Sequence, residues 1–89
     1  MNRLLISYDL VSPGRNYDDL YDYLTNFPKW ARPLESLWVV KTKKDCGQVK
    51  KEIVDNYLDQ NDKLLVVNIT GSASSWFNIP AKDWIKNDE

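Results

Sequence analysis

Apolar and polar positions alternate at the start of the chain. Leu4, Ile6, Tyr8 and Leu10 fall on one side of an extended segment, and Leu5, Ser7 and Asp9 on the other. A period of two predicts a strand over 4–10 that ends near an aspartate, Asp9. Ser12-Pro13-Gly14 then breaks the chain into a loop. Asn16 suits the cap of a first helix, in which Tyr17, Leu20, Tyr21 and Leu24 recur at helical spacing. Asp18 and Asp19 fall in its first turn, where they complement the helix dipole, and Pro28 closes the segment.

From Trp30 to Thr42 the chain is rich in β-formers, centred on Leu37, Trp38, Val39 and Val40. Pro33 lacks a backbone donor and belongs on an edge strand. Two strands are expected, with a hairpin pivoting near Glu35-Ser36. A single bent strand is the alternative, since no Gly or Asn marks the turn. Asp45 followed by Gln48 resembles a capping box and starts a second helix. Val49, Ile53 and Tyr57 form its buried stripe, flanked by Cys46, Val54 and Leu58, with Lys50, Lys51, Glu52 and Asp55 on the wet side. Asn61-Asp62 turns the chain into Lys63–Ile69, an apolar run that reads as a strand covered on both faces.

The order β-α-β-β-α-β predicts an α+β fold, a ferredoxin-like βαββαβ sandwich. Its 89 residues form one domain, 1–89. The second and fourth strands fall at the sheet edges, and both helices cover one face. The other face, lined by Leu5, Ser7 and Asp9, needs another cover. Residues 72–89 carry Trp76, Phe77, Ile79, Trp84 and Ile85, too many large apolar groups for a solvated end. They predict an apolar C-terminal tail that docks on the sheet or on a dimer partner.

Composition narrows the chemistry. There is no histidine, which removes the commonest general base and transition-metal ligand, and Cys46 is the only cysteine. Catalysis must therefore use carboxylates, tyrosines, lysines or a hard metal ion. A net charge of −1 gives no global field for nucleic acid, although a local patch can form. No apolar run approaches the ~18–20 residues of a membrane span. The segment after Met1 is strand-like, not a signal peptide, so a cytoplasmic protein with no membrane association is expected.

Asp9 has two readings. It is a metal ligand, or it ends the strand and hydrogen-bonds amides of the Val11–Arg15 loop. Arg3, Arg15, Lys29 and Arg32, with Trp30 nearby, are either phosphate contacts or ordinary surface cations. Lys41, Lys43, Lys44, Lys50 and Lys51 read as a solvated strand end and helix face. Cys46, Tyr17, Tyr21, Tyr57 and Trp38 read as packing residues.

The segment Leu4-Leu5-Ile6-Ser7-Tyr8-Asp9-Leu10 resembles the opening strand of the small CRISPR-associated nuclease family that partners the integrase in spacer acquisition. Arg32-Pro33-Leu34-Glu35-Ser36-Leu37-Trp38-Val39 is similar to that family's run of Arg, mixed residues, Ser and an apolar-aromatic pair. In element order the resemblance spans roughly the first seventy residues, the extent of one small fold. It implies a ferredoxin-fold homodimer whose C-terminal segments reach across to the partner. It also implies metal-dependent cleavage of RNA or DNA, or a non-catalytic adaptor role that binds protein or nucleic acid. Stand-alone relatives include toxin ribonucleases. By the same resemblance Asp9 is the candidate catalytic residue and ligand for Mg²⁺ or Mn²⁺, and Ser36 an accessory catalytic residue. Arg15 and Arg32 are the candidate nucleic-acid contacts. Pro33 and Glu35 depart from the family pattern. A small-ligand-binding module is a third class open to the same fold.

Overall fold

The alternating segment forms β1 (Asn2–Asp9), followed by α1 (Asp18–Thr25), β2 (Lys29–Leu34), β3 (Leu37–Thr42), α2 (Cys46–Tyr57) and β4 (Lys63–Asn68). The computed structural model describes residues 1–11 and 17–71. The predicted tail, 72–89, lies outside the described residues. The strands form one four-stranded sheet in the order β2-β3-β1-β4, antiparallel throughout. β2 and β4 are therefore the edges. The two middle strands are held in register by Leu4 opposite Val40 and Ile6 opposite Trp38.

The hairpin alternative holds. β2 and β3 are joined at Glu35-Ser36, with Leu34 opposite Leu37. The pairing register slips between Ala31 and Leu34. Pro33 sits in that irregularity, where its missing N–H interrupts no ladder bond. The second helix starts as its sequence predicts. Asp45 accepts from the Gln48 amide at 2.8 Å, and the Gln48 side chain accepts from the Asp45 amide at 2.9 Å. The first helix differs. Its cap position is Tyr17, which forms no side-chain cap bond, and the acids Asp18 and Asp19 occupy the first turn.

Both helices pack on one face of the sheet. Leu20 and Leu24 of α1 and Val49 and Ile53 of α2 meet Leu4, Ile6, Tyr8, Trp38 and Val40 in one apolar core. Tyr17, Tyr21, Tyr57 and Cys46 are half-buried against it. On the other face Val39 and Ala31 are also buried, but Leu65 and Val67 of β4 remain 57% and 38% exposed.

Among the described residues β4 pairs with β1 alone, packing Leu64 and Val66 half-buried against the core and turning Leu65 and Val67 to the other face; the tail expected to cover that face lies outside the described residues. Val54 departs from expectation. It lies one position past Ile53, off the buried stripe, and is exposed. The lysine run is not a single wet surface. Lys41 is buried, Lys51 pairs with Asp55 along α2, and Lys44 reaches Glu52 at 2.7 Å. Glu52 also accepts from the Tyr23 hydroxyl at 2.7 Å. Among the described residues no helix is long and apolar enough to cross a membrane.

Two expectations follow from this packing. Ile53→Ala should cost about 2–5 kcal/mol in urea unfolding, whereas Val54→Ala should cost about 0.5 kcal/mol or less. Equal losses would contradict the assigned stripe. The Lys44 ammonium, and after it the Tyr23 hydroxyl, hold the Glu52 carboxyl below its ordinary value. Its contribution is thus present in full above the ordinary glutamate value, about pH 4.3. It is lost as the pH falls through the lowered value. Glu52→Gln should destabilise the protein at pH 7, by about 1 kcal/mol, and match the parent in strong acid; a gap that persists unchanged in acid would contradict this.

Candidate functional site

β1 delivers Asp9 to the end of the sheet where the β2–β3 turn also lies. Antiparallel pairing places Ser7 opposite Leu37, so the turn residues Glu35 and Ser36 stand beside the last residues of β1. The Tyr8 amide donates to the Ser36 carbonyl at 3.2 Å and extends the ladder to the turn. Asp9, Arg32, Glu35 and Ser36 then line an open cleft of about 360 Å³, walled by Tyr8, Tyr17 and Tyr21. Three of the residues singled out from sequence, Asp9, Arg32 and Ser36, converge there. Arg15 lies outside the described residues.

The cleft rests on the core. The indole N–H of Trp38 donates to the Tyr8 hydroxyl at 2.9 Å, and that hydroxyl donates to the Glu35 carbonyl at 3.3 Å. The Glu35 carbonyl also accepts from Arg32 Nε at 2.8 Å. Above this network the Arg32 guanidinium lies 4.8 Å from the Tyr21 ring centre and 5.0 Å from that of Trp38. Cation–π contacts of this kind contribute about 0.5–1 kcal/mol at exposed sites. Arg32 is thus a cation held in place by two rings and one carbonyl. Burial pushes the Tyr8 phenol above its ordinary range, opposed by the Trp38 N–H and the Arg32 charge. Tyr8 is therefore a neutral donor and scaffold, not a base.

Asp9 differs from its neighbours. It is exposed, and among the described residues its carboxylate takes no hydrogen bond. Of the Val11–Arg15 loop, only Val11 is among the described residues, and its amide donates to Asp62, not to Asp9. The Asp62 carboxylate accepts from the Val11 amide at 2.9 Å, from the Tyr17 hydroxyl at 2.8 Å and from the Asp59 amide at 2.8 Å. One acid therefore ties the end of β1, the start of α1 and the approach to β4 together. Asp9 faces outward between the cleft and a second depression formed with Ser7, Lys63 and Leu65.

Arg3 and Lys29 do not join this site, whereas Lys63 stands opposite Asp9 on β4. Arg3 is buried at the opposite end of β1, in register with Lys41, which in turn stands opposite Lys29. Among the described residues no group of three or more His, Cys, Asp or Glu could hold a metal ion. Tyr8, Tyr21 and Glu35 were not legible as cleft residues. Tyr8 and Tyr21 read as core by periodicity, and Glu35 contributes mainly through its backbone carbonyl.

Comparison with family models, with curated proteins and with solved structures returns no match.

The two acids make opposite predictions. Asp62→Ala should cost about 2 kcal/mol in urea unfolding, since three donors lose a charged acceptor. Asp9→Ala should change stability by about 0.5 kcal/mol or less. A loss at Asp9 as large as that at Asp62 would assign Asp9 a structural role.

Proposed function

We propose that the chain is a cytoplasmic homodimer of the ferredoxin-like kind, similar to the CRISPR-associated nucleases, that cleaves RNA or DNA with the help of Mg²⁺ or Mn²⁺. The observation that carries this reading is the convergence of Asp9, Arg32 and Ser36 on one cleft, with the Asp9 carboxylate exposed and unbonded among the described residues. The strand order β2-β3-β1-β4, with both helices on one face, supports the fold assignment.

The donor set fits a hard divalent ion only in part. Such an ion keeps several waters and takes one or two carboxylates together with substrate phosphates. One chain offers two acids that line the cleft, Asp9 and Glu35, and only Asp9 is expected as a ligand. A two-fold axis near the Asp9 end of the sheet would bring a second Asp9 to the site and complete the pair. Bound there, the ion supplies Lewis-acid stabilisation of the phosphodiester and a lowered pKa for its water. Arg32, fixed by its rings, presents its remaining N–H groups to a phosphate oxygen. Ser36 orients the same group by its hydroxyl. No histidine is required.

The second reading is a non-catalytic dimeric adaptor or regulator that binds protein or nucleic acid. The outward Leu65, opposite Ser7, and Val67, opposite Leu5, favour it as a recognition surface. Incubation with RNA and with DNA, with and without Mg²⁺ or Mn²⁺, separates the two. The nuclease reading expects metal-dependent cleavage reduced at least about 100-fold by Asp9→Ala. Saturable binding without cleavage supports the adaptor instead, and equal cleavage by Asp9→Ala overturns the role given to Asp9.

A further inference from the structure

A second hollow lies at the opposite end of the sheet from Asp9. It sits between the C-terminal end of α1 and the connection from β3 to α2, and its volume is about 400 Å³. Tyr23, Phe27 and Pro28 give it an apolar wall, Met1 and Thr42 line the other side, and Lys43 stands at the rim. The size falls within the range of small-molecule sites, roughly 300–1,000 Å³, which are typically apolar with a few convergent polar groups.

Polar partners are arranged so that the wall stays apolar. The Tyr23 hydroxyl and the Lys44 ammonium both turn to Glu52 Oε1, each at 2.7 Å. The Tyr23 ring and the Lys44 stem are left to line the hollow. Tyr23 meets Phe27 edge-on at 5.2 Å and Tyr57 at 5.3 Å, so the ring is fixed from two sides. The half-buried Tyr23 ring, with the edge of the buried Phe27 beside it, favours a flat aromatic guest.

Charge selects its sign. No described residue lining the hollow is acidic. Lys43 is exposed at its rim, and Lys29 lines an adjoining depression that shares Met1 and Pro28. The Lys44 charge is neutralised by Glu52. Lysine ammonium groups with no Arg fork, beside an α2 N-terminus whose amide is already taken by the Asp45 capping box, suit a carboxylate better than a phosphate. The nearby C-terminal end of α1, with its negative dipole end, also disfavours a dianion.

We propose that this hollow binds a small aromatic carboxylate, its ring on Tyr23 and Phe27 and its carboxylate at Lys43. The site is independent of the Asp9 cleft and of any nuclease activity. Its test is a titration of the full chain, followed by amide NMR, with indole-3-acetate, its neutral amide and tryptamine. Saturable shifts confined to residues around Tyr23, Phe27 and Lys43 are expected, with the acid binding roughly three- to five-fold tighter than the amide and tryptamine weakest. Lys43→Glu, an exposed change that leaves the core intact, should weaken the acid by at least that factor and spare the amide. Absence of saturable shifts, shifts centred on the Asp9 cleft, equal affinity for acid and amide, or no effect of Lys43→Glu would each overturn the proposal.

Discussion

The buried indole of Trp38 is the contact on which the rest of the molecule depends. It stands on a central strand opposite Ile6, packs in the core shared by both helices, and is 2% exposed. A buried N–H must find an acceptor or forfeit its hydration, at a cost of about 1–3 kcal/mol. Trp38 finds it in the Tyr8 hydroxyl. That hydroxyl passes the constraint to the Glu35 carbonyl, and the same carbonyl holds Arg32. Packing inside the sheet therefore sets the position of a cation at its end. The coupling runs through side chains that point inward, one residue out of phase with Asp9.

Asp9 and Asp62 show how two acids near one loop divide the work. Asp62 is half-buried and its oxygens are taken up by amides and a phenol. An acid so engaged is fixed by its donors and has little left for a ligand. Asp9 projects from the end of β1 into solvent, on the phase of the strand opposite Tyr8. Its exposure leaves the carboxylate hydrated and available to a cation, at the cost of the weak binding expected of a lone acid. In the proposed dimer a second copy of the chain would supply the carboxylate that one Asp9 lacks.

Much of this was legible in the residues, and the failures have physical causes. The period-two pattern of Leu4–Leu10 and the Asp45–Gln48 capping box are local signals, and both elements form where they predict. Pro33 marked an edge strand because it lacks an N–H, and it lies in the irregular part of one. A short apolar run such as Lys63–Ile69 does not reveal which side chains are covered: among the described residues Leu64 and Val66 pack on the core while Leu65 and Val67 are exposed. Lys41 looked wet for the same reason. The cleft was half legible: Asp9, Arg32 and Ser36 carried chemistry, but their tyrosine walls are brought in by topology. Tyr21 helps pack the core and stacks on Arg32, two roles that helical spacing cannot separate. Asp62 was read only as a turn residue, since its partners lie about fifty positions away in the chain.

The central claim is that Asp9 becomes a metal ligand when two copies meet. Counting Mn²⁺ bound per chain by electron paramagnetic resonance, alongside the mass of the same sample in solution, tests it most directly. The account predicts a dimer that binds one Mn²⁺ per two chains, and loss of that binding in Asp9→Asn with the dimer retained. A monomer, no saturable Mn²⁺, or a site that Asp9→Asn leaves unchanged would contradict it.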